Sequence, residues 1–150
     1  MKAQLKWTDG MKFEATAAGN LVLMDAKAPI GSNAAMTPKE LVAAGLGGCT
    51  AMDVIALLKK HKQSYKTLEV DVDIATSTSG QPAVFTSALL TFKVTGEVDK
   101  DILLNVVHLS QTKYCGVSAM LAKAIPITYI VKLNDEQIGE GKADFGGSNE

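Results

Sequence analysis

The sequence predicts a single α+β domain with the element order βββ-α-ββ-αα-β, and three kinds of segment support this prediction. Short segments in which apolar and polar residues alternate indicate strands, because successive side chains of a strand point to opposite faces. One long apolar segment begins with a helix-capping motif, and two shorter helical segments follow it. Strands that are neighbours in sequence favour antiparallel sheets packed on central helices. The 150 residues are enough to bury one core.

The first part of the chain predicts three strands and a loop. The strands lie at residues 3–7, 12–17 and 21–24, separated by the turn signals TDG and AAGN. Residues Asp25–Met36 are rich in small side chains and read as an irregular loop. A loop of this length within a compact domain is often functional.

A long helix is predicted from Thr37 to about Lys62. Thr37 is a suitable N-cap, Pro38 occupies the first helical position and Glu40 completes a capping box. Three glycines at positions 45–48 lower the helical propensity of the interior. We expect these glycines to kink the helix or to let another backbone approach closely.

The second half of the chain predicts a hairpin, two helices and a last strand. In chain order these elements lie at residues 68–77 and 84–96, 99–113 and 117–124, and 126–134. Asp99 is a plausible cap of the first of these helices. The tail from residue 141 onward is predicted to be loose.

Charge and targeting signals exclude several classes of protein. The net charge of −1 and the pI near 6.1 give no reason to expect a nucleic acid or an anionic membrane surface as partner. The N-terminus lacks the apolar core of a signal peptide, which favours a cytoplasmic location. The apolar run at residues 41–58 is of marginal length for a membrane span and contains glycines and Asp53. We therefore expect this run to be the centre of a soluble domain.

Two cysteines, Cys49 and Cys115, are the candidates for chemistry. They lie 66 positions apart and leave three possibilities: inert core thiols, a redox couple, or a metal pair completed by His61 and His108. No CxxC or HxxxH spacing supports a metal site, and neither a metal nor a cofactor is expected. The spacing alone does not decide between the other two.

The surroundings of the cysteines suggest how they are tuned. Cys115 is predicted to head a short helix, where free amides favour a thiolate. Cys49 lies within the long helix, with Asp53 one turn later on the same face. An ionised Asp53 would raise the pKa of the Cys49 thiol unless a cation offsets it. Alternatively, Asp53 accepts a proton, orients a distant group, or bonds to a segment packed above the helix.

Two motifs together resemble the OsmC/Ohr family, which comprises osmotically inducible protein C and the organic hydroperoxide resistance proteins. They are TPKELVAAGLGGCTAMDVIALLKK, around Cys49, and SQTKYCGVSAML, around Cys115. LKW near the start and GGCTAMDV look most like the YhfA-type branch of that family. The resemblance covers nearly the whole chain and implies an intertwined homodimer with the cysteines at its interface.

The resemblance also implies an activity. Cys49 matches the cysteine that reacts with the peroxide, and Cys115 matches the resolving cysteine. Active members of the family reduce organic hydroperoxides and are recycled by dithiols such as dihydrolipoyl groups. The resemblance therefore predicts a cytosolic, thiol-dependent hydroperoxide reductase that uses a Cys49–Cys115 couple.

The sequence departs from the family at the residues that activate the thiolate. Active members carry a glutamate directly after the proline of an NPE motif, paired with an arginine. Here Lys39 follows the proline, Glu40 comes one place later, and all fifteen basic residues are lysines. Lysine lacks the bidentate fork of arginine. We expect Lys39 or Lys12, together with Asp53, to form the environment of Cys49.

Two further expectations follow. An apolar pocket lined partly by Met36, Leu46 and Met52 would favour organic over inorganic peroxides. The absence of arginine supports an alternative function, a non-catalytic member of the family that senses redox state or binds a small ligand.

Overall fold

The computed structural model describes residues 1–146, and the predicted α+β class is confirmed. The elements are β1 (Gln4–Asp9), β2 (Lys12–Ala17), β3 (Asn20–Met24), α1 (Pro38–Lys60), β4 (Ser64–Thr76), β5 (Phe85–Glu97), α2 (Lys100–Leu109), a π-helical turn (Ser110–Tyr114), α3 (Gly116–Leu121), β6 (Ile127–Leu133) and β7 (Glu136–Lys142). The chain divides into two compact units, Met1–Val42 and Ala43–Glu150, so a single domain stays a prediction.

The first unit contains an antiparallel sheet in the order β1-β2-β3. Its register aligns Leu5 with Ala15 and Val22 across the three strands, and Trp7 with Phe13 and Met24 in the next row of the same face. This face is apolar, yet Leu5 and Trp7 are about 60% exposed, at 58% and 61%.

The N-terminus of α1 has the predicted capping box. The backbone N–H of Glu40 donates to the Thr37 hydroxyl at 3.2 Å, and Glu40 Oε2 accepts from the backbone N–H of Thr37 at 2.8 Å. The helix then continues without a break to Lys60, so the three glycines do not interrupt it. This places Cys49 in the middle of a regular helix.

The second unit contains a four-stranded sheet in the order β4-β5-β6-β7. β5 and β6 are parallel, which differs from the all-antiparallel arrangement expected from the sequence. The long connection through α2 and α3 permits this parallel pairing. The core residues come from α1, β5, α2 and β6 and include Leu46, Val54, Leu90, Phe92, Leu103, Val106 and Val131.

Strand β7 was not predicted, and residues Gly141 and Lys142 of the tail belong to it. Glycine is uncommon within strands, which hides the strand from a reading of the sequence. Here the glycines have a packing role, since a Cβ on Gly139 would lie 2.5 Å from Leu104 Cδ2, and one on Gly141 would lie 2.5 Å from the Tyr129 ring. The last part of the predicted loose tail, residues 147–150, lies outside the described residues.

Helix α1 is long and apolar enough to cross a membrane by length and composition alone. The central helix of a soluble protein meets the same criteria. Leu46, Val54 and Leu58 of α1 are fully buried in the core of the second unit, whereas only 28% of the apolar window of the helix is buried within one chain.

Candidate functional site

The two cysteine thiols lie next to each other in the second unit, and both are free. Cys49 is half-buried in the middle of α1. Cys115 is fully buried at the junction between the π-helical turn and α3. The Cys49 thiol is close enough to that of Cys115 to raise its pKa. The structure therefore brings together the two residues that the sequence proposed as a couple.

Burial controls the titration of Cys115. Loss of solvent raises the pKa of its thiol above the ordinary value, and the adjacent Cys49 raises it further. Hydrogen bonding from Ser118 opposes this rise in pKa, since the Ser118 backbone N–H donates to the sulfur at 3.3 Å. The sequence predicted that the helix N-terminus would favour the Cys115 thiolate. In the structure, burial has the larger effect and raises the pKa of this thiol.

Ser118 influences Cys115 through both its backbone N–H and its side-chain hydroxyl. Its hydroxyl is fully buried beside the sulfur and also lowers the pKa of the thiol. Among the described residues, however, this hydroxyl makes no hydrogen bond of good geometry. This role has no signal in the sequence, because a serine within a short helix has no distinctive pattern.

Asp53 is hydrogen-bonded to the segment that leads into Cys115. Its Oδ2 accepts a hydrogen bond of 3.0 Å from the hydroxyl of Ser110, in the π-helical turn. This agrees with one of the alternatives from the sequence, in which Asp53 bonds to a segment packed against the helix. Ser110 also accepts the backbone N–H of Cys115 through its carbonyl oxygen, at 3.0 Å.

Three further hydrogen-bonding groups extend this contact into the interior. Thr50 and Ser110 share a hydrogen bond of 2.7 Å between their hydroxyls. Gln111 Nε2 donates to Thr50 Oγ1 at 2.8 Å, while Gln111 Oε1 is buried without a partner among the described residues. Thr50, Ser110 and Gln111 are all fully buried. No local sequence pattern marks these residues, because Thr50 lies about 60 positions from its partners, at separations of 60 and 61.

Two of the charged residues considered for the environment of Cys49, Lys12 and Glu40, have ion-pair partners in the first unit. Lys12 pairs with Asp9 at 3.6 Å, on an exposed surface. Glu40 pairs with Lys27 at 2.7 Å, which lowers the pKa of the Glu40 carboxyl. Lys39 is exposed. The cation that contacts Glu40 is thus Lys27, a loop lysine that no sequence pattern marks.

The three residues expected to line an apolar pocket have different environments. Leu46 is fully buried in the core of the second unit. Met52 is 74% exposed and lines an open groove of about 460 Å³ along α1, together with Ile55, Ala56 and Leu68. Met36, in the first unit, is exposed and forms a bridge to Met24. Leu46 therefore contributes to the core, and Met52 borders open space.

The two histidines that could have completed a metal site with the cysteines lie on the surface. His61 and His108 are both exposed. Within residues 1–146, no three histidine, cysteine, aspartate or glutamate side chains are grouped so that they could hold a metal ion. Sulfur chemistry between the two thiols is what this geometry supports.

Comparison with known proteins gives the family. The profile described as "OsmC: OsmC-like protein" matches residues 31–130. Protein YhfA of Escherichia coli K12 is 37% identical over 131 residues, which cover 86% of this chain and 95% of that protein.

Solved structures share the fold. The structure of an OsmC-like protein from Mycoplasma pneumoniae has a TM-score of 0.77 at 12% identity and covers 88% of this chain and 95% of its own. An organic hydroperoxide resistance protein OsmC from Legionella pneumophila has a TM-score of 0.67 at 16% identity, with coverages of 87% and 95%. From the profile and the 37% identical relative, we conclude that the chain belongs to the OsmC-like protein family.

Proposed function

We propose that the protein reduces organic hydroperoxides with Cys49 as the reacting thiol and Cys115 as the resolving thiol. The observation that carries this proposal is the contact between a half-buried and a fully buried thiol in one site. The more accessible thiol can meet a substrate, while the buried one can meet only its neighbour. Membership of the OsmC-like family and a structural neighbour named as an organic hydroperoxide resistance protein support a redox role.

The proposed cycle has three steps that balance. The Cys49 thiol loses its proton, the thiolate attacks the terminal oxygen of the hydroperoxide, the O–O bond breaks, and Cys49 becomes a sulfenic acid while the alkoxide takes up that proton and leaves as an alcohol. The Cys115 sulfur then attacks the Cys49 sulfur, forming a disulfide and releasing water that takes up the thiol proton. A dithiol reductant, such as a dihydrolipoyl group, returns both cysteines to thiols and becomes a disulfide itself.

We expect an organic substrate to bind in apolar grooves along α1, at the edge of the surface that a second copy would cover, although Cys49 itself lines neither groove. The open groove along α1 contains Met52, Ile55 and Leu68, and a second groove of about 410 Å³ contains Ala51, Gly48 and Val72. Both grooves are apolar next to the helix that carries Cys49. A hydroperoxide with an alkyl or aryl group would bury apolar surface here, whereas hydrogen peroxide would not.

We also propose that the protein is a homodimer in the cytoplasm. The exposed apolar face of the first sheet and the apolar flank of α1 are both surfaces that a second copy would cover. Free cysteines suit a reducing compartment.

The test of the reaction compares two single substitutions. Reduced wild-type protein, Cys49→Ser and Cys115→Ser are each mixed with cumene hydroperoxide, and sulfenic acid and disulfide are measured by mass spectrometry after dimedone trapping. We expect Cys49→Ser to consume no peroxide, and Cys115→Ser to accumulate the sulfenic acid because its resolving thiol is missing. Peroxide consumption by Cys49→Ser at the wild-type rate would contradict the proposal.

A redox-sensing function is the second candidate, and the complete burial of Cys115, which raises the pKa of its thiol, is the observation that favours it. A resolving thiol that stays protonated near neutral pH reacts slowly, so the oxidised protein would persist as a signal. Turnover with a dithiol separates the two functions. A sensor forms the disulfide once and is reduced slowly, whereas an enzyme consumes many equivalents of hydroperoxide.

A further inference from the structure

The polar side chains buried in the second unit are concentrated at the cysteine pair. Among its described residues, the fully buried polar side chains are Thr50, Ser110, Gln111 and Ser118. Ser118 contacts the Cys115 sulfur, and the other three bond to one another. Burying a polar group is unfavourable unless it is hydrogen-bonded, so a cluster of this kind at one place in an apolar core points to a specific role.

The hydrogen bonds of this cluster run in one direction. Ser110 has one hydroxyl proton, and it donates that proton to Asp53 Oδ2 at 3.0 Å. The bond of 2.7 Å between Thr50 and Ser110 must therefore use the proton of Thr50. Thr50 in turn accepts from Gln111 Nε2 at 2.8 Å. The side chains thus form a relay in the order Gln111, Thr50, Ser110, Asp53.

The two ends of the relay belong to the two segments that carry the thiols. Thr50 follows Cys49 directly and Asp53 lies one turn later, both on α1. Ser110 and Gln111 belong to the π-helical turn that leads into Cys115. A π-helical turn is wider than an α-helical turn and is often found at functional sites.

Ser110 joins the relay to Cys115 through the backbone. Its carbonyl oxygen accepts the Cys115 N–H at 3.0 Å, while its hydroxyl bonds to Thr50 and Asp53. A displacement of Ser110 would therefore move Cys115 relative to α1. The relay fixes this position by side-chain hydrogen bonds, in addition to apolar packing.

We propose that this relay is a positioning device that holds Cys115 against Cys49 and sets the rate at which their disulfide forms. The inference rests on the proposed redox function of the two cysteines. In the step concerned, the Cys115 sulfur attacks the sulfur of the Cys49 sulfenic acid, an S–S bond forms, the S–O bond breaks, and water leaves with the thiol proton. The rate of such an intramolecular step depends strongly on the alignment of the two sulfurs.

The central residue, Thr50, gives the sharpest test. Thr50→Val keeps the shape of the side chain but removes both the donor to Ser110 and the acceptor for Gln111. With cumene hydroperoxide in a single turnover, we expect Thr50→Val to form the Cys49 sulfenic acid at the wild-type rate. Disulfide formation should slow by about tenfold or more, because the sulfurs are no longer held in line. Thr50→Ser restores the hydroxyl and should restore the rate of disulfide formation.

Two further variants complete the design. Thr67→Val is the matched control, since it removes a hydroxyl pair with Thr95 at 2.6 Å on an exposed surface and should leave both steps unchanged. Asp53→Ala acts at the half-buried end of the relay, so it gives a second test if Thr50→Val folds poorly. We expect Asp53→Ala also to slow disulfide formation, as Thr50→Val does.

A measurement without peroxide separates this inference from the proposed function. Equilibration with oxidised and reduced dithiothreitol gives the stability of the Cys49–Cys115 disulfide, which positioning of the thiols should favour. We expect Thr50→Val to shift this equilibrium toward the two thiols, and Thr50→Ser to restore it. If wild-type protein forms no sulfenic acid, the peroxide function fails while the equilibrium still tests positioning. Equal disulfide rates and equilibria in wild type and Thr50→Val would overturn the inference.

Discussion

Asp25 is a nearly fully buried carboxylate that organises the loop after β3. It is 2% exposed, and its oxygens accept hydrogen bonds from the backbone N–H groups of Ala26, Ser32 and Ala34, at 2.8, 3.1 and 2.9 Å. The Ser32 hydroxyl donates a fourth, at 2.7 Å. These donors, led by the Ser32 hydroxyl, hold the pKa of the Asp25 carboxyl well below its usual range.

This lowered pKa predicts how the stability of the protein depends on pH. The ionised carboxylate stabilises the folded state fully above the ordinary carboxyl pKa of about 3.9, and this contribution decreases as the pH falls below that value. Asp25→Asn replaces one acceptor oxygen by an amide that faces backbone donors, so we expect a lower urea midpoint at pH 7. The difference from wild type should narrow as the pH falls below about 4.

The control for Asp25 is another aspartate of the same unit. Asp9 is 78% exposed and pairs with Lys12 at 3.6 Å, so Asp9→Asn should change the urea midpoint little at either pH. Unfolding followed by circular dichroism at pH 7 and pH 3 gives both comparisons. An Asp25→Asn midpoint equal to that of wild type at pH 7 would show that the loop does not depend on the carboxylate.

At the scale of an element, α1 owes its close approach to β4 to one glycine. A Cβ added at Gly47 would lie 2.7 Å from Val72 Cγ2, whereas one at Gly48 would have nothing within 4 Å. Gly47 is also fully buried. The two neighbouring glycines therefore have different roles, although both lie in the interior of the same regular helix.

Alanine substitutions at these two glycines should have opposite effects. Gly48→Ala adds helical propensity without a clash and should stabilise the protein by up to about 1 kcal/mol. In Gly47→Ala the new methyl group meets the stiff Val72 side chain, and we expect a loss of about 1–3 kcal/mol. Thermal unfolding of the two variants beside wild type measures the difference. A Gly47→Ala protein as stable as Gly48→Ala would mean that β4 moves freely away from the helix.

The elements that could be predicted are those coded by local pattern. The capping box at Thr37 and Glu40, the cap at Asp99 and the alternation of β4 and β5 all act within a few residues, and all are present in the structure. Strand β7 was missed because its glycines are required by close packing against side chains of α2 and β6. A local sequence pattern does not reveal such contacts.

Contacts between residues that are distant in sequence also determine most of the candidate site, so most of that site could not be predicted. Both cysteines were identified, because the two motifs around them are distinctive. Their contact and the relay beside them depend on residues 57 to 66 positions apart, at separations fixed only by the tertiary fold. Lys27 was missed for a similar reason, since a loop lysine has no periodicity that would mark it as the partner of Glu40.

On the scale of the whole molecule, the main unexplained feature of a single chain is its exposed apolar surface. Trp7 on one face of the first sheet, Leu21 and Leu23 on its other face, and Met52 in the second unit are each more than half exposed, at 61%, 57%, 55% and 74%. Exposed apolar patches of this kind mark interaction surfaces in soluble proteins. Homodimer formation would bury them, and it would also explain why so apolar a helix as α1 is largely uncovered in one chain.

Met52 gives a direct test of this assembly. A lysine at this position would place a charge in the apolar groove with Ile55 and Leu68, and burying an unpaired charge is strongly unfavourable. We expect Met52→Lys to weaken self-association by about a hundredfold or more, measured by sedimentation velocity over a range of concentrations. Met120→Lys is the matched control, because Met120 is 66% exposed on α3 and does not line this groove. A Met52→Lys protein that sediments as wild type does would exclude this flank of α1 from the dimer interface, and a wild-type protein that is monomeric at all concentrations would exclude the dimer itself.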